Sequence, residues 1–210
     1  MEASPRKSLM SSLRETAALN LPTATLIGNS MGGAVAIGMA LTHPDRVSRL
    51  VLINSLPDHV RERLASPLMQ RALNTSVPAW LARFGALFVG NRTMEAVLKE
   101  IIYDHTLVTP AVLDRSNRNR QREDMITPLM SLRNSLPLWE QHFAPRLKDI
   151  RHSTLILWGE QDRLFPPQVG RDLHAVIPQA RLIVIPDAGH IPQWERPQVV
   201  NRHITEFLQP

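Results

Sequence analysis

The amino-acid sequence predicts an α/β fold: a mostly parallel sheet flanked by helices, with a helical segment inserted in the middle. Three observations predict it. Short runs of apolar and β-branched residues alternate with helical patterns at both ends of the chain, as parallel strands joined by helices require. Those runs are apolar almost throughout, as strands covered on both faces should be. Between residues 56 and 145 the texture changes to helical patterns broken by prolines, and then the alternation resumes.

Taken in order, residues 8–19 place Leu9, Met10, Leu13, Ala17 and Leu19 at a helical period, which Asn20-Leu21-Pro22 ends. Ala24 to Ile27 reads as a buried strand, Gly28-Asn29-Ser30-Met31-Gly32 as a tight turn, and Gly33 to Leu41 as a helix apolar on all sides. His43-Pro44-Asp45-Arg46 breaks the chain before a second strand, Val47 to Asn54. From Leu56 to Pro145, prolines at 57, 67, 78, 110, 128 and 137 punctuate helical patterns, in which Trp80, Phe84, Leu87 and Phe88 form one apolar face. Thr154 to Trp158 is a strand, Pro167 to Ile177 a helix, Ala180 to Ile185 a strand and Pro197 to Leu208 an amphipathic helix. The expected division is a core of 1–55 and 146–210, and a helical cap over 56–145 that covers a cleft, selects substrate and excludes water.

Composition narrows the function classes. At 210 residues and 43% hydrophobic content the chain can bury one substantial core. No apolar run reaches the ~20 residues that span a bilayer. Residues 1–7 lack the apolar stretch of a secretory signal, so no membrane partner and a cytoplasmic address are expected. With no cysteine there is no disulfide, thiolate metal ligand or cysteine nucleophile. The net charge is +5, with 21 arginines. The densest basic run, Arg115 to Arg122, has Asp114, Glu123 and Asp124 beside it and little aromatic interleaving, which reads as a solvated helix face rather than a nucleic-acid surface.

The chemistry centres on Ser30. Gly28-Asn29-Ser30-Met31-Gly32 is G-x-S-x-G between a strand and a helix, the setting of a nucleophile elbow. A serine on so sharp a turn crowds the chain on both sides, which Gly28 and Gly32 would relieve. The Met31 N–H and the helix dipole would then face a developing oxyanion. The other reading is a Gly-rich helix N-terminus with a serine cap. Two later residues favour the elbow. Asp162 follows the strand Thr154 to Trp158, and His190 follows Ala180 to Ile185, both at strand C-termini, where open α/β sheets carry their sites. A serine hydroxyl needs an imidazole to take its proton, and the imidazole needs a buried carboxylate to fix its tautomer. Ser30, His190 and Asp162 fill those roles. The other reading of Asp162 is that it closes a turn with Gly159; Asp58 is the rival acid, and Asp187 is better suited to shaping its loop. The other seven histidines, His43, His59, His105, His142, His152, His174 and His203, lie in cap or helix contexts.

The segments GNSMGGAVAIGMALTHPDRVSRLVLINS, LILWGEQDRLFP and IPDAGHIPQWERP resemble the α/β-hydrolase family over nearly the whole chain. Asn29-Ser30-Met31-Gly32-Gly33 and Gln193-Trp194-Glu195 look like the branch that hydrolyses carbon–carbon bonds in ring-fission products of aromatic degradation. The resemblance implies a serine hydrolase of acyl or diketone substrates with no metal or organic cofactor, the Met31 N–H as oxyanion donor, and Asn29 and Trp194 as substrate contacts. The sequence departs from that branch at Ile191, where a tryptophan commonly follows the histidine, and its cap arginine is open among Arg115, Arg118 and Arg120. Family members also carry strands ahead of the elbow, and a His-Gly loop that supplies a second oxyanion donor. This chain is expected to start inside the helix before the elbow strand, which would leave that strand an apolar edge open to self-association. The alternative reading is therefore a catalytically impaired remnant, or a module completed by a partner.

Overall fold

The computed structural model describes residues 21–74, 91–121 and 133–209; the helix expected over 8–19 and the face of Trp80, Phe84, Leu87 and Phe88 lie outside them. Four parallel strands pair in chain order: β1 (Ala24–Asn29), β2 (Val47–Ile53), β3 (Ser153–Gly159) and β4 (Ala180–Ile185). Helices α1 (Met31–Thr42), α2 (Val60–Arg63), α3 (Pro67–Asn74), α4 (Asn91–Ile101), α5 (Pro110–Gln121), α6 (Pro167–Val176), α7 (Pro192–Glu195) and α8 (Pro197–Leu208) flank or follow it. This is the expected α/β arrangement, a parallel sheet with helices packed against it, with the four strands β1 to β4 among the described residues. Among those residues no helix is long and apolar enough to cross a membrane.

The two central strands explain the core. Successive side chains of a strand point to opposite faces, so Leu50, Leu52, Ile156 and Trp158 pack on one side with Ile37 and Met39 of α1 and Val169 and Leu173 of α6. Val51, Ile53, Leu155 and Leu157 pack on the other with Val200 of α8. All eight strand residues are fully or almost fully buried, each contributing roughly 1.5–3 kcal/mol relative to exposure. A continuous apolar run is what burial on both faces demands.

The same pattern misleads at β1. Its apolar run suggests a centrally buried strand, yet β1 pairs only with β2 among the described residues, is half-buried along most of its length, and leaves Ile27 50% exposed. Among the described residues it therefore stands at the edge of the sheet. β1 also runs two residues beyond the expected end, to Asn29, and α1 begins two residues early, at Met31, so Ser30 alone makes the bend. β4 and α8 have the expected limits.

Both ends of the segment between β2 and β3 are built into the core. Leu56, Val60 and Leu64 at its start, and Leu136, Trp139 and Ala144 at its end, share the cluster formed with α1. Trp139 Nε1 donates to the Pro57 carbonyl at 2.6 Å, tying start to end.

Ile156→Ala should destabilise the protein by about 2–5 kcal/mol in urea unfolding, whereas Ile27→Ala should cost roughly 1 kcal/mol or less because half of that side chain is already in water. Equal losses would show that the outer side of β1 is covered.

Candidate active site

Parallel register brings the strand ends level: Asn29 lies opposite Ile53, Ile53 opposite Leu157, and Gly159 opposite Ile185. The residues that follow each strand therefore emerge at one end of the sheet, and the chemistry-bearing side chains gather there.

Ser30 follows β1 with φ 52° and ψ −118°, a backbone conformation costly for a residue with a Cβ, on the order of 1–3 kcal/mol. Its N–H donates to the Ile53 carbonyl at 2.9 Å, and its carbonyl accepts from Gly33 N–H at 3.0 Å. These bonds hold the bend against its strain. A Cβ at Gly28 would lie 2.3 Å from the Gly32 carbonyl carbon and oxygen, so only glycine fits there. At Gly32 an added Cβ meets nothing within 4 Å, whereas at Gly33 it would strike Ser55 Oγ at 2.4 Å. The steric demand expected at Gly28 and Gly32 thus falls on Gly28 and Gly33. Met31 is the first helical residue, and its N–H has no acceptor inside the helix; it stands beside Ser30 at the positive end of the α1 dipole.

His190 and Asp162 meet. His190 Nδ1 lies 2.8 Å from Asp162 Oδ2, with the two residues only 5% and 4% exposed. Asp162 Oδ1 accepts from the backbone N–H groups of Leu164 at 2.8 Å and Phe165 at 3.1 Å, and Oδ2 also accepts from Asn54 Nδ2 at 2.7 Å. A buried carboxylate is tolerated when it is this well supplied with donors. The turn reading of Asp162 holds at the same time, because its own N–H donates to the Gly159 carbonyl at 3.2 Å. The Phe165 ring leans against the imidazole, centroids 5.8 Å apart.

Asn29 links the elbow to the histidine loop. Its Nδ2 donates to the carbonyls of Ile53 and His190, both at 3.1 Å. Both amide hydrogens are thereby engaged within the protein. No hydrogen bond joins Ser30 Oγ to the His190 ring among the described residues. Serine–imidazole bonds of ligand-free sites are often long and tighten when substrate binds.

Asn54 was not singled out in the sequence. It follows β2 with φ 40°, is fully buried, donates to Asp162, and accepts the Gly159 N–H at 3.2 Å through Oδ1. Its signal was available: asparagine tolerates the left-handed region better than most residues, and it stands at a strand C-terminus.

Other candidates lie elsewhere. Asp58 pairs with Arg63 at 2.8 Å, and Arg63 also bonds Asp172, holding that carboxyl below its ordinary range. Asp187 is exposed at φ 54°, in the loop it shapes. Trp194, on α7, is 42% exposed. Arg118 pairs with Asp114 on the exposed face of α5. Arg115 is also exposed there, and the Arg120 side chain is outside the described set. His59 sits 3.9 Å from Asp58, His203 3.4 Å from Glu206, and His43 bonds Thr42.

Comparison with known proteins agrees with this architecture. The family model described as alpha/beta hydrolase fold matches residues 13–197. The chain is 31% identical over 192 residues to a 2-hydroxy-6-oxo-6-phenylhexa-2,4-dienoate hydrolase of Burkholderia cepacia, covering 91% of this chain and 64% of the relative. It is 30% identical over 191 residues to a 2-hydroxy-6-oxononadienedioate/2-hydroxy-6-oxononatrienedioate hydrolase of Comamonas testosteroni, covering 90% and 64%. The chain thus spans 64% of the length of these relatives. A meta-cleavage product hydrolase of Pseudomonas fluorescens superposes with a TM-score of 0.77 at 23% identity, over 99% of this chain and 72% of that one. An esterase of Thermogutta terrifontis does so with a TM-score of 0.70, also at 23% identity, over 99% and 73%.

Asn54→Ala removes a donor from the buried Asp162 carboxylate and should cost about 1–3 kcal/mol in denaturant unfolding. Asp58→Asn, at a partly exposed ion pair, should cost about 1 kcal/mol or less. The reverse order would show that Asp58, not Asp162, is the carboxylate the structure depends on.

Proposed function

This chain belongs to the α/β-hydrolase fold family, and from that premise we propose that it is a serine hydrolase acting on a carbonyl substrate through an acyl-enzyme. The carrying observation is the buried 2.8 Å contact between His190 Nδ1 and Asp162 Oδ2, in a loop tied by Asn29 to the strained serine at the end of β1. In a neutral imidazole one nitrogen carries hydrogen and the other accepts. With Nδ1–H donated to Asp162, the lone pair of Nε2 is left as the base.

Ser30 Oγ attacks the carbonyl carbon while His190 Nε2 takes its proton, and the negative charge that forms on the carbonyl oxygen is met by the Met31 N–H and the α1 dipole. Asp162, held in place by its donors, stabilises the imidazolium. The imidazolium then protonates the leaving group, and water, deprotonated by the same nitrogen, releases the acyl group. The helical segment between β2 and β3 serves as the cap. Asn29 Oδ1 and the exposed Trp194 ring are the candidate substrate contacts.

Two substrate classes fit this chemistry: carboxylic esters and related acyl compounds, and vinylogous diketones cleaved at a carbon–carbon bond. The names of the two relatives 31% and 30% identical over nine-tenths of the chain favour the second. The side of β1 left unpaired among the described residues is the surface through which copies of the chain would associate. A second reading, a chain that folds as a hydrolase but turns over poorly, is favoured by one observation: among the described residues no hydrogen bond joins Ser30 Oγ to the His190 ring.

A fluorophosphonate probe should form an adduct on Ser30, and Ser30→Ala should abolish it. His190→Ala should slow labelling by about 10²–10⁴-fold, the usual contribution of a general base. An adduct mapped to another residue, or a Ser30→Ala protein that hydrolyses p-nitrophenyl esters as fast as the parent, would overturn the proposal. Ready labelling with scarcely any turnover of esters or of a vinylogous diketone would select the impaired reading.

A further inference from the structure

Glu195 is 5% exposed, and no ion pair reaches it among the described residues. Its carboxylate is held by three backbone donors instead. Oε1 accepts from Gly189 N–H at 2.8 Å, and Oε2 accepts from the N–H groups of Tyr103 at 2.7 Å and Asp104 at 3.0 Å. A carboxyl group this deeply buried is tolerated where such hydrogen bonds replace water.

The two chain segments that Glu195 joins also touch directly. His190 N–H donates to the Ile101 carbonyl at 2.8 Å, the last residue of α4. A Cβ at Gly189 would lie 2.6 Å from Ile101 O, 2.9 Å from Tyr103 N and 3.1 Å from Glu195 Oε1. Gly189 has no positive φ, so glycine is required there by close approach of backbone to backbone and not by a turn. Arg196 reinforces the join, 3.6 Å from Asp104 Oδ2 through the same Nη1 that donates to the Glu195 carbonyl at 2.9 Å.

We propose that Glu195 is a positioning residue: it locks the backbone of Gly189–His190 to the end of α4 at Ile101–Asp104, so that the height of the His190 imidazole above the sheet is set by the helical segment between β2 and β3. This rests on the hydrolase reading of His190. It gives that segment a second task beside covering the cleft, since any shift of the end of α4 is transmitted through one backbone bond and one carboxylate to the general base. Misplacement of a catalytic group by about 1 Å is enough to lower turnover on the order of 10²-fold.

The test uses the full chain, with Glu195→Gln, which keeps the shape, and Glu195→Ala. Amide hydrogen exchange is followed at Gly189, His190, Tyr103 and Asp104. Active serines are titrated with a fluorophosphonate, and p-nitrophenyl ester turnover is expressed per titrated serine. Exchange should rise roughly tenfold at all four amides together, as expected for loss of a buried hydrogen-bonded acceptor, with Leu155 to Leu157 unchanged. Turnover per titrated serine should fall about tenfold or more at unchanged KM. If turnover per titrated serine is unchanged, Glu195 only supports the fold and the proposal is overturned. It is equally overturned if exchange rises at Tyr103 and Asp104 alone. Should both variants fail to fold, Glu195→Asp, which keeps the charge on a shorter arm, carries the same comparison. A failure of the hydrolase reading shows itself earlier, in an unsubstituted protein that neither labels at Ser30 nor turns over ester, and the coupling falls with it.

Discussion

The carboxylate of Asp162 is almost entirely withdrawn from water, and four donors from three parts of the chain converge on it: Asn54 after β2, Leu164 and Phe165 within its own loop, and His190 after β4. Burying an unpaired anion is among the most expensive acts in folding. The three loops are therefore not free to settle independently. Each must arrive where its donor reaches the same two oxygens, and that requirement fixes the face and tautomer of the imidazole. The reactivity proposed for Ser30 is a consequence of an electrostatic debt settled elsewhere.

The sheet makes that convergence cheap in chain length. Parallel pairing puts the C-terminal ends of all four strands on one edge, so residues 30, 54, 162 and 190 each lie within a few positions of a strand end. The serine is then brought alongside by bonds made by its neighbour and by its own backbone: Asn29 to Ile53 and His190, and Ser30 N–H to Ile53. The left-handed backbone at Ser30 is maintained by this over-determination. The left-handed backbone at Asn54 is its counterpart, turning an amide toward Asp162 on one side and toward Gly159 N–H on the other.

Much of this was legible in the sequence, for identifiable reasons. β4 and α8 have the limits their residues announce because Pro186 and Pro197 stand at the boundary and the apolar period between is unambiguous. Ser30, Asp162 and His190 could be picked because each is a chemistry-bearing side chain just beyond an apolar run. The edge position of β1 could not be read from its composition, since an apolar run looks the same with a strand on one side or on both; pairing is a property of the whole sheet. Asn54 escaped because an asparagine after a strand resembles any turn residue until the carboxylate it serves is placed 108 positions later. Glu195 enters the sequence reading only as part of Gln193-Trp194-Glu195, and the close approach of Ile101–Asp104 shows why it is buried. The exchange of Gly32 for Gly33 as the second crowded glycine followed from the same limit, because Ser55 comes near α1 only in three dimensions.

The most direct test of the account is downfield NMR of the ¹⁵N-labelled histidine side chains. The account predicts one imidazole Nδ1–H, assigned to His190, that is far downfield and slow to exchange with water, and that is lost in Asp162→Ala. A His190 ring with no such protected Nδ1–H, or one unchanged in Asp162→Ala, would contradict the buried histidine–carboxylate pair, and with it the reactivity assigned to Ser30.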